Sequence, residues 1–385
     1  MLGGVHTERK GQVLKLLGQI ELESLAGWGW DAQWQDAWEK EPREGEPARV
    51  IEEQRGLYRL ATASGSCEAE LAGRFRHRVV GAEDLPGVGD FVDAAPASRH
   101  RIHAVLPRRS QFVRRAAGGA GAPQVAAANV DYTFIVQALG HDFSPRRLER
   151  YLALAWEGGS SPVVVLNKMD QVPDAAGQRG AAASAAPGVP VHAVSAATGS
   201  GLEHLAQWLA PGRTVVLLGS SGVGKSTLAN ALLSQGGDGQ RGWQAVGAIR
   251  EQDGRGRHTT TARHLLRLSG GALLIDSPGM REVGLIGLDE GLSSAFTDVE
   301  KLAAACRFAD CKHQGEPGCA MDAALAEGQL DPDRLAAYRK LEREQAFQAR
   351  KENRALAHAA RREWARRARA GRQARRDQSR GGGLT

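Results

Sequence analysis

The chain has 385 residues, 42% of them apolar and 24% charged, the composition of a soluble globular protein large enough for two or three cores. No run approaches the ~18 apolar residues that cross a bilayer, and the polar residues 1–11 show no signal-peptide pattern, so no membrane partner is expected and the cytoplasm is the expected compartment. Lys plus Arg number 50 against 44 acids, a net +6, and the excess is uneven: residues 361–380 hold nine Arg against Glu363 and Asp377, which favours a polyanion partner, nucleic acid before membrane.

Residues 1–45 read as an N-terminal extension. It has one short amphipathic stretch, 13–25, and four tryptophans, Trp28, Trp30, Trp34 and Trp38, expected to pack against a later domain. From 46 to 115, short strand-like runs at 49–51, 57–60, 68–71, 90–92 and 103–105 are each bounded by Gly, Ser, Pro or Asp. That spacing predicts a small all-β barrel of OB-fold type. Its connections carry Arg74, Arg76, His77 and Arg78, then Arg99, His100 and Arg101, with Arg108, Arg109, Arg114 and Arg115 at its end. A solvated basic face and a nucleic-acid contact are both open readings of this set.

A small-residue linker, 116–123, leads to a different periodicity. Buried-strand runs at 132–136, 162–166, 190–194, 214–218, 264–268 and 272–275 alternate with helical spacing, predicting a mostly parallel, doubly wound α/β domain over 126–290. Asn167, Lys168, Met169 and Asp170 follow the second of these runs. The Asp170 carboxylate can accept from the N1–H and N2–H₂ of guanine; adenine lacks that donor pair, and an unpaired carboxylate makes the wrong base costly. Asn167 would hold N7 and the loop, the Lys168 stem would lie over the ring, and Ser195 and Ala196 would offer a backbone N–H to guanine O6.

Gly219, Ser220, Ser221, Gly222, Val223, Gly224, Lys225 and Ser226 fit the P-loop pattern between a buried strand and a helix that opens at Thr227. The glycines let backbone N–H groups face the phosphates, and the helix N-terminus adds positive potential. Lys225 should reach the β- and γ-phosphates, and the Ser226 hydroxyl should ligate Mg²⁺. In the polar segment 256–261, a hydroxyl from Thr259 or Thr260 would complete the Mg²⁺ shell; Thr259 is the choice carried forward, beside the alternative that the Thr run simply begins a strand. Asp276, Ser277, Pro278 and Gly279 end the last apolar run. Asp276 can hold Mg²⁺, usually through a water, and the Gly279 N–H can sense the γ-phosphate. Met280 stands where Ras-like enzymes have a water-orienting Gln, so slow, partner-dependent hydrolysis is expected. His258 is the best in-chain candidate to position water, against the reading of a surface histidine.

The base-recognition motifs, at 167 and 195, precede the phosphate motifs, at 219 and 276. Neither half is a complete site, so the order implies one circularly permuted domain. Beyond it, over 291–370, lies a helical region with Cys306, Cys311, His313 and Cys319. Three thiolates and an imidazole make a closed shell for one structural Zn²⁺, with Gly315, Pro317 and Gly318 allowing the return turn. Cys67 has no such neighbours and reads as a core residue. Residues 371–385 read as a disordered basic tail.

The whole set resembles the RsgA (YjeQ) family of bacterial ribosome-associated GTPases. Its carriers are the barrel, Ala127-Ala128-Asn129-Val130-Asp131, the nucleotide motifs above and the Cys-Cys-His-Cys cluster, over about residues 45–370. The resemblance implies an OB-fold, a permuted P-loop GTPase domain and a zinc-binding helical domain, with Mg²⁺ beside GTP or GDP. It also implies late maturation of the small ribosomal subunit, contact with its rRNA and hydrolysis stimulated by that particle; a monomer is expected. Two other classes stay in view: an RNA-binding checkpoint protein in which GTP marks occupancy, and a P-loop kinase or ATPase, against which Asp170 argues.

Overall fold

The computed structural model describes residues 25–54, 56–115, 123–234, 263–276, 294–308, 311, 313 and 315–343. A short helix, α1 (Ala32–Glu39), begins at Asp31, whose carboxylate accepts the Trp34 N–H at 3.0 Å. Five strands follow: β1 (Glu46–Gln54), β2 (Leu57–Thr62), β3 (Gly65–Leu71), β4 (Phe91–Ala95) and β5 (His100–Val105), with helix α2 (Gly73–Arg78) between β3 and β4. They run in the order β1-β2-β3-β5-β4, and β4 pairs back onto β1. Only the β3–β5 pair is parallel. Closure leaves the barrel without an open edge and gives an OB-like barrel around Ala48, Val50, Leu60, Val92 and Ile102.

The tryptophans cover one end of this barrel. Trp34 and Trp30 place their rings 4.7 and 5.1 Å from that of Phe91, and both indoles are buried. The expected packing role is therefore found; burying rings of this size contributes about 1.5–3 kcal/mol each.

The α/β part comprises β8 (Tyr132–Ala138), α3 (Pro145–Glu157), β9 (Ser161–Asn167), α4 (Ala176–Ala185), β10 (Val191–Ala193), β11 (Thr214–Leu218), α5 (Lys225–Ser234), β12 (Arg263–Arg267) and β13 (Leu273–Asp276). Before it, β6 (Gln111–Arg115) and β7 (Pro123–Ala128) form a separate two-stranded sheet. Val163, Val164, Val165 and Leu166 are all inaccessible to solvent; strands covered by helices on both faces need such unbroken apolar runs. The order is β10-β9-β8-β11-β13-β12, parallel except for β12. The outer β12 also pairs with barrel strand β1, Glu52 opposite His264 and Glu53 opposite Arg263, so barrel and α/β sheet are one continuous eleven-stranded sheet.

The amino edge of the parallel strands is locked by charge. Arg49 of β1, 1% exposed, donates to the carbonyls of Gly89 and Trp28 and to Thr214 Oγ1, the last at 2.9 Å. Burial lowers its pKa to about 10. Asn129, in left-handed backbone at φ +54, donates to the Gly89 carbonyl and accepts the Arg109 N–H. Asp131 accepts the Thr214 N–H at 2.8 Å and Arg213 at 2.7 Å. The stretch from Ala127 to Asp131 is thus the joint between the barrel and the sheet.

After the sheet, α6 (Thr297–Ala304), α7 (Ala320–Ala326) and a helical segment, 332–343, form the last described part. Among the described residues no helix is long and apolar enough to cross a membrane.

Candidate functional site

The chain adds β9 and β10 on one side of β8, then returns to place β11 on the other. Ligands of open α/β sheets bind outside the strands' carboxyl ends at such a reversal. Asn167 ends β9, Ser195 and Ala196 follow β10, Gly219 follows β11 and Asp276 ends β13, so the base and phosphate motifs share one edge. Asp276 lies level with Leu217, because Ile275 is paired with Val216.

Asn167 joins the two halves. Its Nδ2 donates to the Val223 carbonyl of the P-loop at 2.9 Å, and its Oδ1 accepts the Ala196 N–H at 2.9 Å. An amide carries two Nδ2 protons, so one remains for a purine. Lys168 adopts left-handed backbone at φ +65 and opens the turn Met169–Gln171, which leaves Asp170 exposed at the rim. The Met169 N–H bonds the Val194 carbonyl, tying this turn to the end of β10. Ser195 is fully buried and shapes its own loop, its hydroxyl accepting the Thr198 N–H and its N–H bonding the Ser200 carbonyl. The Ser195 and Ala196 N–H groups, one of which is expected to serve guanine O6, therefore both have protein acceptors here.

In the P-loop, Val223 is buried while Ser221, Gly222, Ser226 and Thr227 face outward. Gly224 is required twice over: its φ is +91, and a Cβ there would lie 2.3 Å from Asn167 Nδ2. A Cβ on Gly219 would lie 2.3 Å from the Val136 carbonyl oxygen. The Lys225 ammonium reaches back along the loop, donating to the carbonyls of Gly219 at 2.7 Å and Ser220 at 2.5 Å. One contact escaped the sequence reading. Arg147 of α3 donates to Ser220 Oγ at 3.2 Å; an arginine on an amphipathic helix looks in sequence like any solvated charge.

His258, Thr259, Thr260, Gly279 and Met280 lie outside the described residues, as do Ser277, Pro278 and the arginine-rich stretch 361–380.

In the last part, the ligand atoms of Cys306, Cys311, His313 and Cys319 all lie within 4.8 Å of one another. His313 Nδ1 is 3.4 Å from Cys306 Sγ and 3.6 Å from Cys319 Sγ. Tetrahedral zinc with ordinary bond lengths sets a sulfur–nitrogen edge of about 3.6 Å, so the donor set fits that ion. Cys67 packs against the barrel core, and burial pushes its thiol up to about 11.

The basic residues of the barrel differ in their surroundings. Arg99, Arg101, Arg108 and Arg109 pair with Glu68, Glu70, Asp90 and Asp31. Arg74, Arg76, His77 and Arg78 of α2 face solvent, beside Val80 at 96% exposure.

The RsgA GTPase family profile matches residues 105–286. A small ribosomal subunit biogenesis GTPase RsgA of Opitutus terrae is 48% identical over 340 residues, covering 85% of this chain and 91% of the relative. That of Streptomyces coelicolor is 45% identical, covering 83% and 86%. YjeQ from Thermotoga maritima superposes with a TM-score of 0.57 at 25% identity, over 77% of this chain and 96% of that one. YloQ, a circularly permuted GTPase, shares the fold at a TM-score of 0.56 and 23% identity, over 79% and 96%. An enzyme that hydrolyses GTP, built on an OB-like barrel and a permuted P-loop sheet, is what these relatives and this geometry have in common, and the chain belongs to the RsgA family of GTPases.

Proposed function

We propose that this chain binds the small ribosomal subunit and assists a late step of its maturation, hydrolysing GTP to GDP and phosphate with stimulation by that particle. The observation that carries the reading is Asn167, which bonds the P-loop carbonyl of Val223 and the Ala196 N–H at once. It ties the loop read here as base-recognising to the phosphate loop, although the two stand in reversed order along the chain.

In this reading Asp170 accepts from guanine N1–H and N2–H₂, the Lys168 stem covers the ring, and the Ser195–Ala196 loop faces O6. The backbone from Gly219 to Gly224 surrounds the phosphates, with Ser221 and Thr227 at its rim. Lys225 turns from the loop carbonyls to the β- and γ-phosphates, where its charge meets charge that grows in the transition state. Ser226 and Asp276, with Thr259, would hold Mg²⁺, which when bound neutralises phosphate-oxygen charge. Gly279 would sense the γ-phosphate and His258 would orient water. Cys306, Cys311, His313 and Cys319 would hold one structural Zn²⁺.

Domain limits follow the same reading: 46–115 for the barrel, 126–290 for the permuted GTPase and 291–370 for the zinc-binding part. For rRNA, the outward cations of α2 are the barrel's best surface, since Arg99, Arg101, Arg108 and Arg109 are neutralised by carboxylates and outward cations drive salt-dependent phosphate contact. The protein would act as a monomer in the cytoplasm, where that substrate is.

The test is GTP turnover by the full chain with and without small ribosomal subunits. A rise of at least tenfold that ATP cannot replace is expected. Turnover indifferent to the particle, or ATP competing as well as GTP, would overturn the reading.

A further inference from the structure

The helix that follows β8 meets two things at once. Gln137 of β8, 1% exposed, clamps the start of α3, its amide donating to the Ser144 carbonyl at 3.2 Å and accepting the Ser144 N–H at 3.0 Å. Ser144 caps the helix. From this fixed start, Arg147 reaches the P-loop, with Nη1 donating to Ser220 Oγ while Nη2 is held by the carbonyl and carboxylate of Asp142. Two residues on, Glu149 accepts Arg334 of the C-terminal part at 2.9 Å, and both side chains are at most 10% exposed. Arg334 also grips Asp298 through two bonds of 2.6 Å and the Ala295 carbonyl at 3.0 Å. Arg146 adds an outer ion pair to Asp333.

Ser220 is therefore held on two sides, its hydroxyl by Arg147 and its carbonyl by Lys225. Lys225 must release that carbonyl to serve a phosphate, and the Arg147 bond is then the contact that keeps the Ser220 peptide in place.

We propose that Arg147 is a positioning residue of the phosphate loop, and that docking of the C-terminal part on the same turn of α3 sets it. The inference rests on the phosphate-loop reading above. Arg147 touches no reacting atom in this scheme; it acts through Ser220. The scheme makes nucleotide affinity depend on contacts of Arg334, which itself belongs to another part of the molecule.

The test is a pair of double-mutant cycles on the full chain, read by the Kd of fluorescent GDP and by kcat and KM for GTP. Arg147→Met and Ser220→Ala should each raise the Kd about tenfold, as loss of one hydrogen bond from a charged donor does. The double variant should be no worse than either, and Arg147→Lys should restore only part of the affinity. Arg334→Met should weaken binding in the wild-type chain and add nothing in the Arg147→Met background. Three outcomes would overturn the proposal: unchanged Kd in Ser220→Ala, full rescue by Arg147→Lys (a charge effect alone), or additive effects of Arg334→Met and Arg147→Met. Failure of the parent reading looks different, because folded wild-type protein would then bind no GDP at all.

Discussion

Along the amino edge of the parallel strands, Arg49, Asn129 and Thr214 are buried and bonded to protein partners, and Asp131 has an N–H or guanidinium donor on each oxygen. Along the carboxyl edge, Asp170, Ser221, Ser226 and Thr227 stand exposed, and among the described residues the loops there are braced by Asn167, Lys225 and Arg147. One sheet carries both arrangements. A buried polar network that is fully satisfied fixes a geometry and is costly to open. A rim with outward polar groups leaves its donors and acceptors for a ligand. Stability and function should therefore separate along the strand direction, and substitutions at the two edges should fail in different assays.

The largest effect belongs to the carboxyl edge. Asp170→Asn should lower GTP affinity on the order of 10⁴-fold, because its amide sets an NH₂ donor against one of the two guanine donors and leaves that one unpaired. The melting temperature should hardly move, since Asp170 is exposed. Equilibrium binding and a thermal melt on the same sample check both halves; intact GTP affinity would place the base elsewhere.

The reverse pattern is expected at Arg108, close to the amino edge. Its guanidinium makes two 2.8 Å bonds to the fully buried Asp90 and also donates to the Glu83 and Leu85 carbonyls. Burial alone already raises the Asp90 pKa, and Arg108 opposes that rise. Arg108→Ala would strand the carboxylate and should cost about 3–5 kcal/mol of stability in denaturant melts. Nucleotide affinity of the molecules that remain folded should be unchanged. If affinity fell in step with stability, the two edges would not be separable.

The P-loop, the permuted order, the barrel strands and the Cys-Cys-His-Cys cluster were all legible, because each is written in a contiguous or fixed-spacing pattern. The runs at 132–136 and 162–166 became β8 and β9, and the five short runs became the barrel. What was not legible depends on partners distant in sequence. Arg99, Arg101, Arg108 and Arg109 look like one basic face until Glu68, Glu70, Asp90 and Asp31 are brought beside them. The β1–β12 seam is made by backbone groups, which every residue carries and no motif marks. Asn167 reads as holding N7 and its loop, and its amide bonds both the Val223 carbonyl and the Ala196 N–H; the residue type was informative and the identity of these two partners was not.

Glu149 offers the finest discrimination, because it is a buried carboxylate near the carboxyl edge that is not fully satisfied. Arg334 holds Oε1, while Oε2 is buried with no hydrogen-bond partner among the described residues. Burial raises its pKa to about 7; Arg334 and Arg146 pull it down, and Asp298 pushes it up. With a folded-state pKa above the ordinary 4.5, the neutral form is the one that docking favours. The full benefit is therefore present below about pH 4.5 and is lost as pH rises through 7. Between pH 6 and 8, docking of the C-terminal part on α3 should weaken by roughly 1 kcal/mol, seen as faster amide exchange in segment 332–343. Glu149→Gln should flatten that dependence while Asp298 still holds Arg334. Exchange that slowed with rising pH, once corrected for the intrinsic rate, would mean that the ionised pair dominates; Glu149 would then belong with the satisfied charges of the opposite edge.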